Sequence, residues 1–332
     1  MKILNQNFIQ IVKILNDLKY HDVDLISKHL NITRTSVWKE IKKLKKYNVS
    51  INSIDDKCYK LYQPLILLNI EQIKFLLRYK NLRYKNIDLD ILEKTKSTND
   101  YLKQFLCQKQ KIKICLAEMQ TQGKGRMQRK WYSPFGENIY CSILYTFDKN
   151  ISELSGLSLI VALAICQAIN TTLQLPANQL QIKWPNDIIN NDCKIAGILI
   201  ELQAESHNSC QVIIGIGINV NMQHIIDFDL LAQNWSSLFM INNKYQDRNI
   251  LCANLIDYLL DYLELFSYEG LKVFMDEWQN KDYLLGKNIS LFSGDKKSHG
   301  ICLGINNQAN LLLQTAKNKI LNFIAGDTTL RK

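Results

Sequence analysis

The sequence lacks the features that would mark a metal-binding, exported or membrane-spanning protein. Its nine cysteines are scattered, without a CxxC pair or a Cys/His cluster of zinc-ligand spacing. The N-terminus has no apolar run followed by a small-residue cleavage site, and the most apolar stretch, residues 159–166, covers only eight residues. We therefore predict a cytoplasmic protein with reduced thiols, no metal site and no membrane partner.

Composition excludes a disordered or fibrous chain. Of the 332 residues, 47% are hydrophobic and 22% are charged, as in an ordinary globular protein. Because single cores stop growing beyond roughly 250 residues, the length predicts two or three domains.

The net charge of +10 is concentrated at the two ends of the chain. Residues 1–62 carry a net charge of +6, residues 63–283 carry −1, and residues 284–332 carry +5. Basic ends favour polyanions or acidic proteins as partners, and a plain solvated surface is the alternative.

The N-terminal segment has the pattern of a winged helix-turn-helix. Apolar spacing predicts helices over 8–18, over 23–30 and, with Thr33 as its cap, over 33–47, and two extended pieces about Asp55-Asp56 predict a hairpin. The face of the third helix opposite its apolar stripe is formed by Arg34, Thr35, Trp38, Lys39, Lys42, Lys43 and Lys46. Such a helix fits the DNA major groove, and a solvated basic helix is the alternative. The predicted base-reading residues are Arg34, Thr35, Ser36 and Lys39.

Three islands in the middle of the chain carry residues that an ordinary core would not choose. The first, residues 94–100, places Ser97, Thr98 and Asn99 before a helical run, which predicts either a helix cap or polar groups for a ligand. The second, residues 117–131, reads AEMQTQGKGRMQRKW and combines glycines with four cations suited to phosphate or carboxylate. Its spacing matches neither a P-loop nor GxGxxG, and a solvated loop is the alternative.

The third island, QIKWPNDII followed by KIAGILIEL, places Lys183 inside an apolar strand. An unpaired buried ammonium is costly, so this lysine must find an anion or reach solvent. Asn186-Asp187 predicts the turn of a hairpin and residues 195–202 predict the next strand. A purely structural hairpin is the alternative.

In this order and spacing, STN, AEMQTQGKGRMQRKW, SPFGENIYCSIL, KWPNDII, KIAGILIEL and IGIGINVNM, the chain resembles the biotin protein ligases. With its winged helix it is similar to the bifunctional class, a ligase and biotin operon repressor in one polypeptide. The resemblance implies an α+β multidomain fold. It comprises a winged helix-turn-helix at 1–64, a linker helix at 65–82, a catalytic domain at 83–283 and an SH3-like β-barrel at 284–332. The catalytic domain would be related to class II aminoacyl-tRNA synthetases, with a mainly antiparallel sheet.

The resemblance also implies the reaction and the partners. Biotin and ATP, with Mg²⁺, would give biotinyl-5′-AMP and pyrophosphate, and the biotinyl group would pass to a lysine of the biotin carboxyl carrier protein of acetyl-CoA carboxylase. Adenylate-bound protomers would form a homodimer on operator DNA.

Site residues follow from the motif match, position by position. Lys183 and Arg126 are the predicted catalytic residues. The predicted biotin-binding residues are Ser97, Thr98, Asn99, Gln120, Gly123, Lys124, Gly125, Arg126 and Lys183. The predicted ATP-binding residues are Arg129, Lys130, Asn219 and Trp235.

Three alternatives to the bifunctional interpretation stay open. One is a ligase with a vestigial DNA-binding domain, since two acids occupy the wing tip where relatives often have glycines. Another is a biotin-sensing regulator without ligase activity, against which the retained Lys183, Arg126 and Gln120 argue. The third is a lipoate ligase, which shares the related fold and the strand lysine.

Overall fold

The computed structural model describes residues 5–80, 87–106, 112–176, 179–206, 209–224, 234–293, 296–325 and 328–331. In this part of the chain, three sheets of three, seven and five strands follow one another along the sequence. This order confirms the predicted α+β multidomain fold.

The first domain is a helix-turn-helix with a small sheet. Its elements are α1 (Gln6–Leu15), β1 (His21–Asp22), α2 (Val23–Leu30), α3 (Arg34–Lys46), β2 (Ile51–Ile54) and β3 (Cys58–Leu61). Helix α1 ends three residues earlier than predicted, and Leu18 lies in the following turn at φ 62°. The predicted cap of α3 is confirmed, because the Thr33 hydroxyl accepts a hydrogen bond from the Ser36 amide at 3.2 Å.

The wing is the antiparallel pair β2 and β3, with β1 added on the other side of β3. Asp55 and Asp56 at its tip both have positive φ, 49° and 50°. Short polar side chains tolerate this left-handed conformation better than others, which explains how the hairpin closes without glycine.

Helix α4 (Ile70–Lys80) lies where a linker helix is predicted, and residues 81–82 of that segment are outside the described residues. Its buried Ile73 and Leu77 belong to the same apolar core as the central sheet. The helix therefore packs as part of the layer that covers this sheet.

The central domain is built on a seven-stranded sheet in the order β4-β5-β6-β10-β9-β8-β7. Its strands are β4 (Leu89–Leu92), β5 (Ile112–Ala117), β6 (Ile139–Phe147), β7 (Gln181–Lys183), β8 (Asp187–Asn190), β9 (Cys193–Ser206) and β10 (Ser209–Ile218). Of the pairs in this sheet, β4–β5 is parallel and the others are antiparallel, which confirms a mainly antiparallel sheet. The helices are α5 (Thr98–Leu102), α6 (Leu157–Leu173), α7 (Leu238–Asn242), α8 (Arg248–Glu269) and α9 (Met275–Lys281).

Two details of the third island differ from the prediction. Residues 184–186 form the hairpin turn, and Asp187 is already the first residue of β8, opposite Lys183. Strand β9 begins at Cys193 and continues to Ser206, because it pairs with β10 over nearly its whole length. The local pattern of residues 195–202 could not predict this length, because it depends on pairing with a strand elsewhere in the sequence.

Helix α6 is far more apolar than the eight-residue stretch in the sequence suggests. With the turn before it, residues 151–173 are long and apolar enough to cross a membrane by length and composition. Eleven of its residues from Leu157 to Ile169 are buried, and it packs on α8 and the central sheet. It is the core helix of this domain.

The C-terminal sheet has the order β14-β13-β12-β11-β15. Its strands are β11 (Asn288–Ser293), β12 (Lys296–Ile305), β13 (Leu311–Gln314), β14 (Ile320–Phe323) and β15 (Thr328–Arg331). In the β12–β13 turn, Ala309 takes the left-handed conformation at φ 58°. The Asn306 side chain stabilises this turn by accepting from the Gln308 and Asn310 amides, at 3.0 Å each.

Candidate active site

The first two islands meet in a buried polar cluster. Ser97, Thr98 and Asn99 are all buried at the start of α5. The Thr98 amide donates to Gln120 Oε1 at 2.9 Å and the Thr98 hydroxyl donates to the same oxygen at 3.2 Å. The Ser142 hydroxyl, from β6, lies 2.6 Å from both Thr98 Oγ1 and Asn99 Oδ1. The three residues predicted from the first island to bind biotin are therefore neighbours of Gln120, predicted from the second.

Like Ser142, the other residues that complete the cluster were not assigned a role from the sequence. Asn99 Nδ2 donates to Glu201 at 2.7 Å, and Gln120 Nε2 donates to the Ser133 hydroxyl at 3.2 Å. A Cβ at Gly215 would lie 2.4 Å from Asn99 Oδ1, so only glycine fits at this position of β10. Alternating glycines in a strand signal such an approach, and the IGIGI run contains this signal.

A tryptophan lies over a floor of glycines beside the cluster. Gly217 and its β9 partner Gly197 have no side chain, which leaves room for the indole. Cβ atoms at these two positions would lie 2.4 Å and 3.1 Å from Trp131. The indole Nε1 is buried and has no hydrogen-bond partner among the described residues. Because Gly215 and Gly217 are two residues apart on one face of β10, the polar cluster and the indole are adjacent.

The glycine-bearing loop of the second island is folded back on itself. The Gly125 amide donates to the Arg129 carbonyl at 2.7 Å, and the Trp131 amide donates to the Gly123 carbonyl at 2.9 Å. Lys124, predicted to bind biotin, forms an ion pair with Asp100 at 2.6 Å. Arg129 and Lys130, predicted to bind ATP, are exposed on this loop.

Arg126 connects the loop to two other parts of the molecule. Its guanidinium donates to Asn186 Oδ1 at 3.3 Å and to the Ala325 carbonyl of the C-terminal domain. Burial lowers the pKa of Arg126, although Asp187 nearby raises it. Arg126, predicted to be catalytic and to bind biotin, therefore lies against the hairpin of the third island.

That hairpin gathers positive charge around one carboxylate. Lys183 is half-buried at the end of β7, in register with Asp187. The Lys194 ammonium forms an ion pair with Asp187 at 2.6 Å and lies 5.3 Å from the centre of the Trp131 ring. Arg126, Lys183 and Lys194 thus surround the hairpin next to the glycine floor. This arrangement can stabilise an anionic ligand.

Asn219 and Trp235, predicted near the nucleotide, are held together by the backbone. Asn219 is buried and its side-chain Nδ2 donates to the Ser236 carbonyl at 3.0 Å, and Trp235 forms a β-bridge with Lys194. Asn219 therefore fixes the segment that carries Trp235 against β9. No group of three His, Cys, Asp or Glu side chains in the described part of the chain is arranged to hold a metal ion.

The predicted DNA-binding residues lie on α3. Arg34, Thr35 and Lys39 are exposed, whereas Ser36 is half-buried and its hydroxyl bonds to Thr33. Arg34 forms an ion pair with Asp24 of α2. Lys43, which the sequence places on the DNA-facing side, instead turns toward the central domain.

Comparison with known proteins agrees with this geometry. The profile of the Biotin/lipoate A/B protein ligase family matches residues 91–219, and a profile described as HTH domain matches residues 9–60. The proteins named Bifunctional ligase/repressor BirA from Salmonella typhimurium and Escherichia coli are each 32% identical to this chain over 97% of its length, and the matches cover 96% and 97% of those proteins.

A solved structure extends the match to three dimensions. The biotin protein ligase from Aquifex aeolicus, determined in complex with biotin and ATP, superposes with a TM-score of 0.63 at 28% identity, over 74% of this chain and 99% of that one. Fold and site together define a class of proteins in which a ligase domain is joined to a helix-turn-helix domain. The chain belongs to the bifunctional ligase/repressor family of biotin protein ligases.

Proposed function

We propose that the protein is an ATP-dependent biotin-[acetyl-CoA-carboxylase] ligase that also represses transcription in response to biotin. The observation that carries the ligase half is one continuous surface on β10. A polar cluster of hydroxyl and amide groups at Gly215 adjoins the Trp131 indole at Gly217, which adjoins a hairpin surrounded by cations. A substrate with a neutral hydrogen-bonding head and an anionic tail fits this order.

The polar cluster favours biotin over lipoate. The ureido ring of biotin presents one carbonyl and two N–H groups, and Ser97, Thr98, Asn99 and Gln120 supply matching donors and acceptors. The dithiolane ring of lipoate has neither, so it could not replace any hydrogen bond that this polar cluster gives up to a ligand, and each buried donor or acceptor left unpaired would cost about 1–3 kcal/mol.

The cations would act on the first chemical step. A biotin carboxylate oxygen attacks the α-phosphorus of ATP, and the bond from that phosphorus to the pyrophosphate oxygen breaks. Lys183 and Arg126 stabilise the negative charge on the carboxylate and the α-phosphate as it builds. Mg²⁺ commonly binds through substrate phosphates with one or two carboxylates, and Asp187 is the carboxylate within the hairpin.

The remaining predicted residues would hold the nucleotide. Arg129 and Lys130, exposed on the loop, would contact its phosphates. The Trp235 indole is suited to stacking on adenine, with Asn219 holding its segment in place.

The second step transfers the biotinyl group to the carrier. The neutral ε-amine of the acceptor lysine attacks the acyl carbon of biotinyl-5′-AMP, the bond from that carbon to the phosphate oxygen breaks as AMP leaves, and the amine releases one proton to solvent. The net +5 of residues 284–332 supports docking of an acidic biotin carboxyl carrier domain on the C-terminal sheet.

For the repressor half, the supporting feature is the exposed basic face of α3, and a homodimer formed on adenylate binding would place two such helices on operator DNA. A ligase without repression is the second candidate, favoured by the Arg34–Asp24 ion pair and the acidic wing tip.

The two candidates are distinguished by fluorescence anisotropy on DNA from upstream of biotin-synthesis genes at fixed salt. Tighter binding only with biotin and Mg-ATP supports the repressor. If the protein still biotinylates a carrier domain but binds no such DNA specifically, it is a ligase without repressor function.

Lys183 gives the sharpest test of the ligase half. We expect Lys183→Ala to lower the rate of adenylate formation by about 100- to 1,000-fold, a loss typical of removing one charge-stabilising donor. Biotin-dependent pyrophosphate release measures it, with lipoate as competing substrate. Lys272→Ala, at an exposed lysine of the same domain, is the control. Near-normal release by folded Lys183→Ala, or adenylation of lipoate in place of biotin, would contradict the assignment.

A further inference from the structure

A buried carboxylate joins the DNA-recognition helix to the substrate-binding segment. Glu93, directly after β4, is only 3% exposed. Its Oε1 accepts a hydrogen bond from the Tyr47 hydroxyl at 2.5 Å and lies 2.6 Å from the Lys43 ammonium. Lys43 belongs to the last turn of α3, and Tyr47 is the residue that ends this helix.

A second contact holds the same end of α3. The Tyr47 ring stacks on Phe135, with ring centres 4.6 Å apart and an interplanar angle of 20°, and Phe8 meets Phe135 edge-on at 5.9 Å. Phe135 and Met119 come from the central domain, yet both pack in the apolar core of the winged helix domain. The recognition helix therefore rests on two separate parts of the ligase domain.

These contacts flank the polar cluster on both sides. Glu93 lies two residues before Thr95, whose amide donates to the Met119 carbonyl at 3.1 Å and whose carbonyl accepts from the Thr121 amide at 3.0 Å. The residue between those two partners is Gln120, which bonds Thr98. On the other side, Phe135 lies two residues after Ser133, which accepts from Gln120. The contacts of α3 therefore reach the segment before Thr95, which pairs with the backbone on either side of Gln120, and the segment after Ser133, which bonds the Gln120 side chain.

We propose that Glu93 is a positioning residue through which the recognition helix and the biotin site influence each other. The link rests on the proposed function for the identity of the two ligands. A carboxylate this buried cannot lose its partners cheaply, so α3 and residues 93–95 move together. A cleft of about 610 Å³, lined by Tyr47, Glu93 and residues 94–97 among others, leaves space for that movement.

Coupling of this kind has the same size in both directions. If biotin or its adenylate tightens DNA binding by a certain factor through Glu93, DNA must tighten ligand binding by the same factor. Weakening the link should therefore lower the effect of substrates on DNA affinity. Because Glu93 also holds the segment before Thr95, which pairs with the backbone beside Gln120, weakening the link should raise the KM for biotin as well. It should leave kcat close to the wild-type value, because Glu93 does not belong to the groups assigned to the reaction.

The experiment compares two variants of the full-length protein, Glu93→Gln and Tyr47→Phe. The second keeps the ring on Phe135 and removes only the hydroxyl. We expect each to raise the KM for biotin about fivefold, to leave kcat within about twofold, and to lower the ratio of DNA affinities with and without biotin plus Mg-ATP about fivefold. The double variant should change the KM and the DNA-affinity ratio no more than Glu93→Gln alone, since the two substitutions remove the same contact. Melting temperatures confirm that each variant is folded.

Lys46→Gln is the matched control, because this exposed lysine lies three residues after Lys43 on the same helix. It should weaken DNA binding equally in both states and leave the KM for biotin unchanged. An unchanged KM and DNA ratio in folded Tyr47→Phe overturn the proposal, and so does a raised KM with an unchanged ratio. If the wild-type protein binds no DNA, the repressor half of the proposed function fails, and the KM alone then supports or overturns the positioning role.

Discussion

At the scale of single residues, Lys124 shows how the fold holds a side chain of the predicted biotin site. The motif match assigns it to biotin, but its ammonium lies on Asp100, which also pairs with Lys103 at 3.0 Å. Lys103 in turn reaches Glu201, the acceptor for the Asn99 amide. The glycine-bearing loop is thus tied to the polar cluster through a chain of charges. Residue types in sequence indicated that this loop is functional, but only the fold could show where its first cation goes.

We therefore expect Asp100→Asn to release the loop. A partly exposed ion pair is worth up to about 1 kcal/mol, so dissociation of biotinyl-5′-AMP should become about threefold faster while the fold is kept. Burial raises the pKa of Asp100, but the hydrogen bonds from Lys124 and Lys103 outweigh it and lower the pKa overall. The pair is therefore fully present at neutral pH and is lost only as the pH falls through that lowered value.

Stopped-flow measurement of adenylate release tests this expectation, with Asp276→Asn as a control at an exposed aspartate of α9. Equal release rates for Asp100→Asn and the wild-type protein would show that the loop is held by its backbone bonds alone.

Glu137 predicts a pH dependence of stability. Burial raises the pKa of its carboxyl to about 7, although Arg248 opposes the shift. In the unfolded chain the pKa of a glutamate is about 4.3. Between these values the folded state binds more protons than the unfolded state, so this group makes stability fall as the pH rises toward 7.

Glu137→Gln should remove that contribution. We expect little change in stability at pH 4 and a gain of about 1–2 kcal/mol at pH 8, a value reduced because the side chain is partly exposed. Urea unfolding at both pH values measures the difference. A variant that is destabilised at pH 8 would show that the Glu137 carboxylate makes contacts which favour its charged form.

At the scale of elements, a buried ion pair fixes the segment between the first domain and α4. Arg248 and Glu118 are both 0% exposed and lie 2.6 Å apart. Arg248 also donates to the Ile66 carbonyl at 3.0 Å, and Glu118 accepts from the Leu68 amide at 2.6 Å. Residues 66–68 are thereby held against the end of β5 and the start of α8.

We expect Arg248→Met to cost about 3–5 kcal/mol, because it leaves a buried carboxylate without its partner. The double variant Arg248→Met with Glu118→Leu should cost clearly less than the single variant, since it removes both charges. Equilibrium unfolding in urea measures both. A double variant as unstable as the sum of its single variants would show that the two side chains act independently.

Elements with local signals were predicted well, and pairings over long distances were not. Thr33 caps α3 and the helix periodicity of α2 is present in its own residues, so both followed from the sequence. The length of β9 depends on its neighbour β10, and the inward position of Lys43 depends on Glu93, which lies in another domain and outside the reach of any local pattern. Likewise STN, GKGR and KWPND marked the site, but Ser142 and Glu201 entered it only because the sheet brings their strands together.

At the scale of the whole molecule, charge decides how the first domain meets DNA. The net +6 of residues 1–62 attracts a polyanion, and each phosphate contact adds to the salt dependence of binding. Two features oppose this attraction. Arg34 is engaged by Asp24, and the wing tip presents Asp55 and Asp56 where it should approach phosphate. We therefore expect the wing to limit both the affinity for DNA and the salt dependence of binding.

The double variant Asp55→Asn with Asp56→Gly tests this limit. Asn-Gly suits two left-handed positions of a hairpin turn, so the wing should fold at least as well as in the wild-type protein. Removing two negative charges should raise DNA affinity about tenfold at low salt and steepen the fall of log K with log salt. Anisotropy titrations at several salt concentrations measure both, with and without biotin and Mg-ATP. Since the substrates act through the biotin site, the variant should tighten binding by a similar factor in each state. An affinity gain without any change of salt slope would mean that turn geometry, and not charge, limits the contact of the wing with DNA.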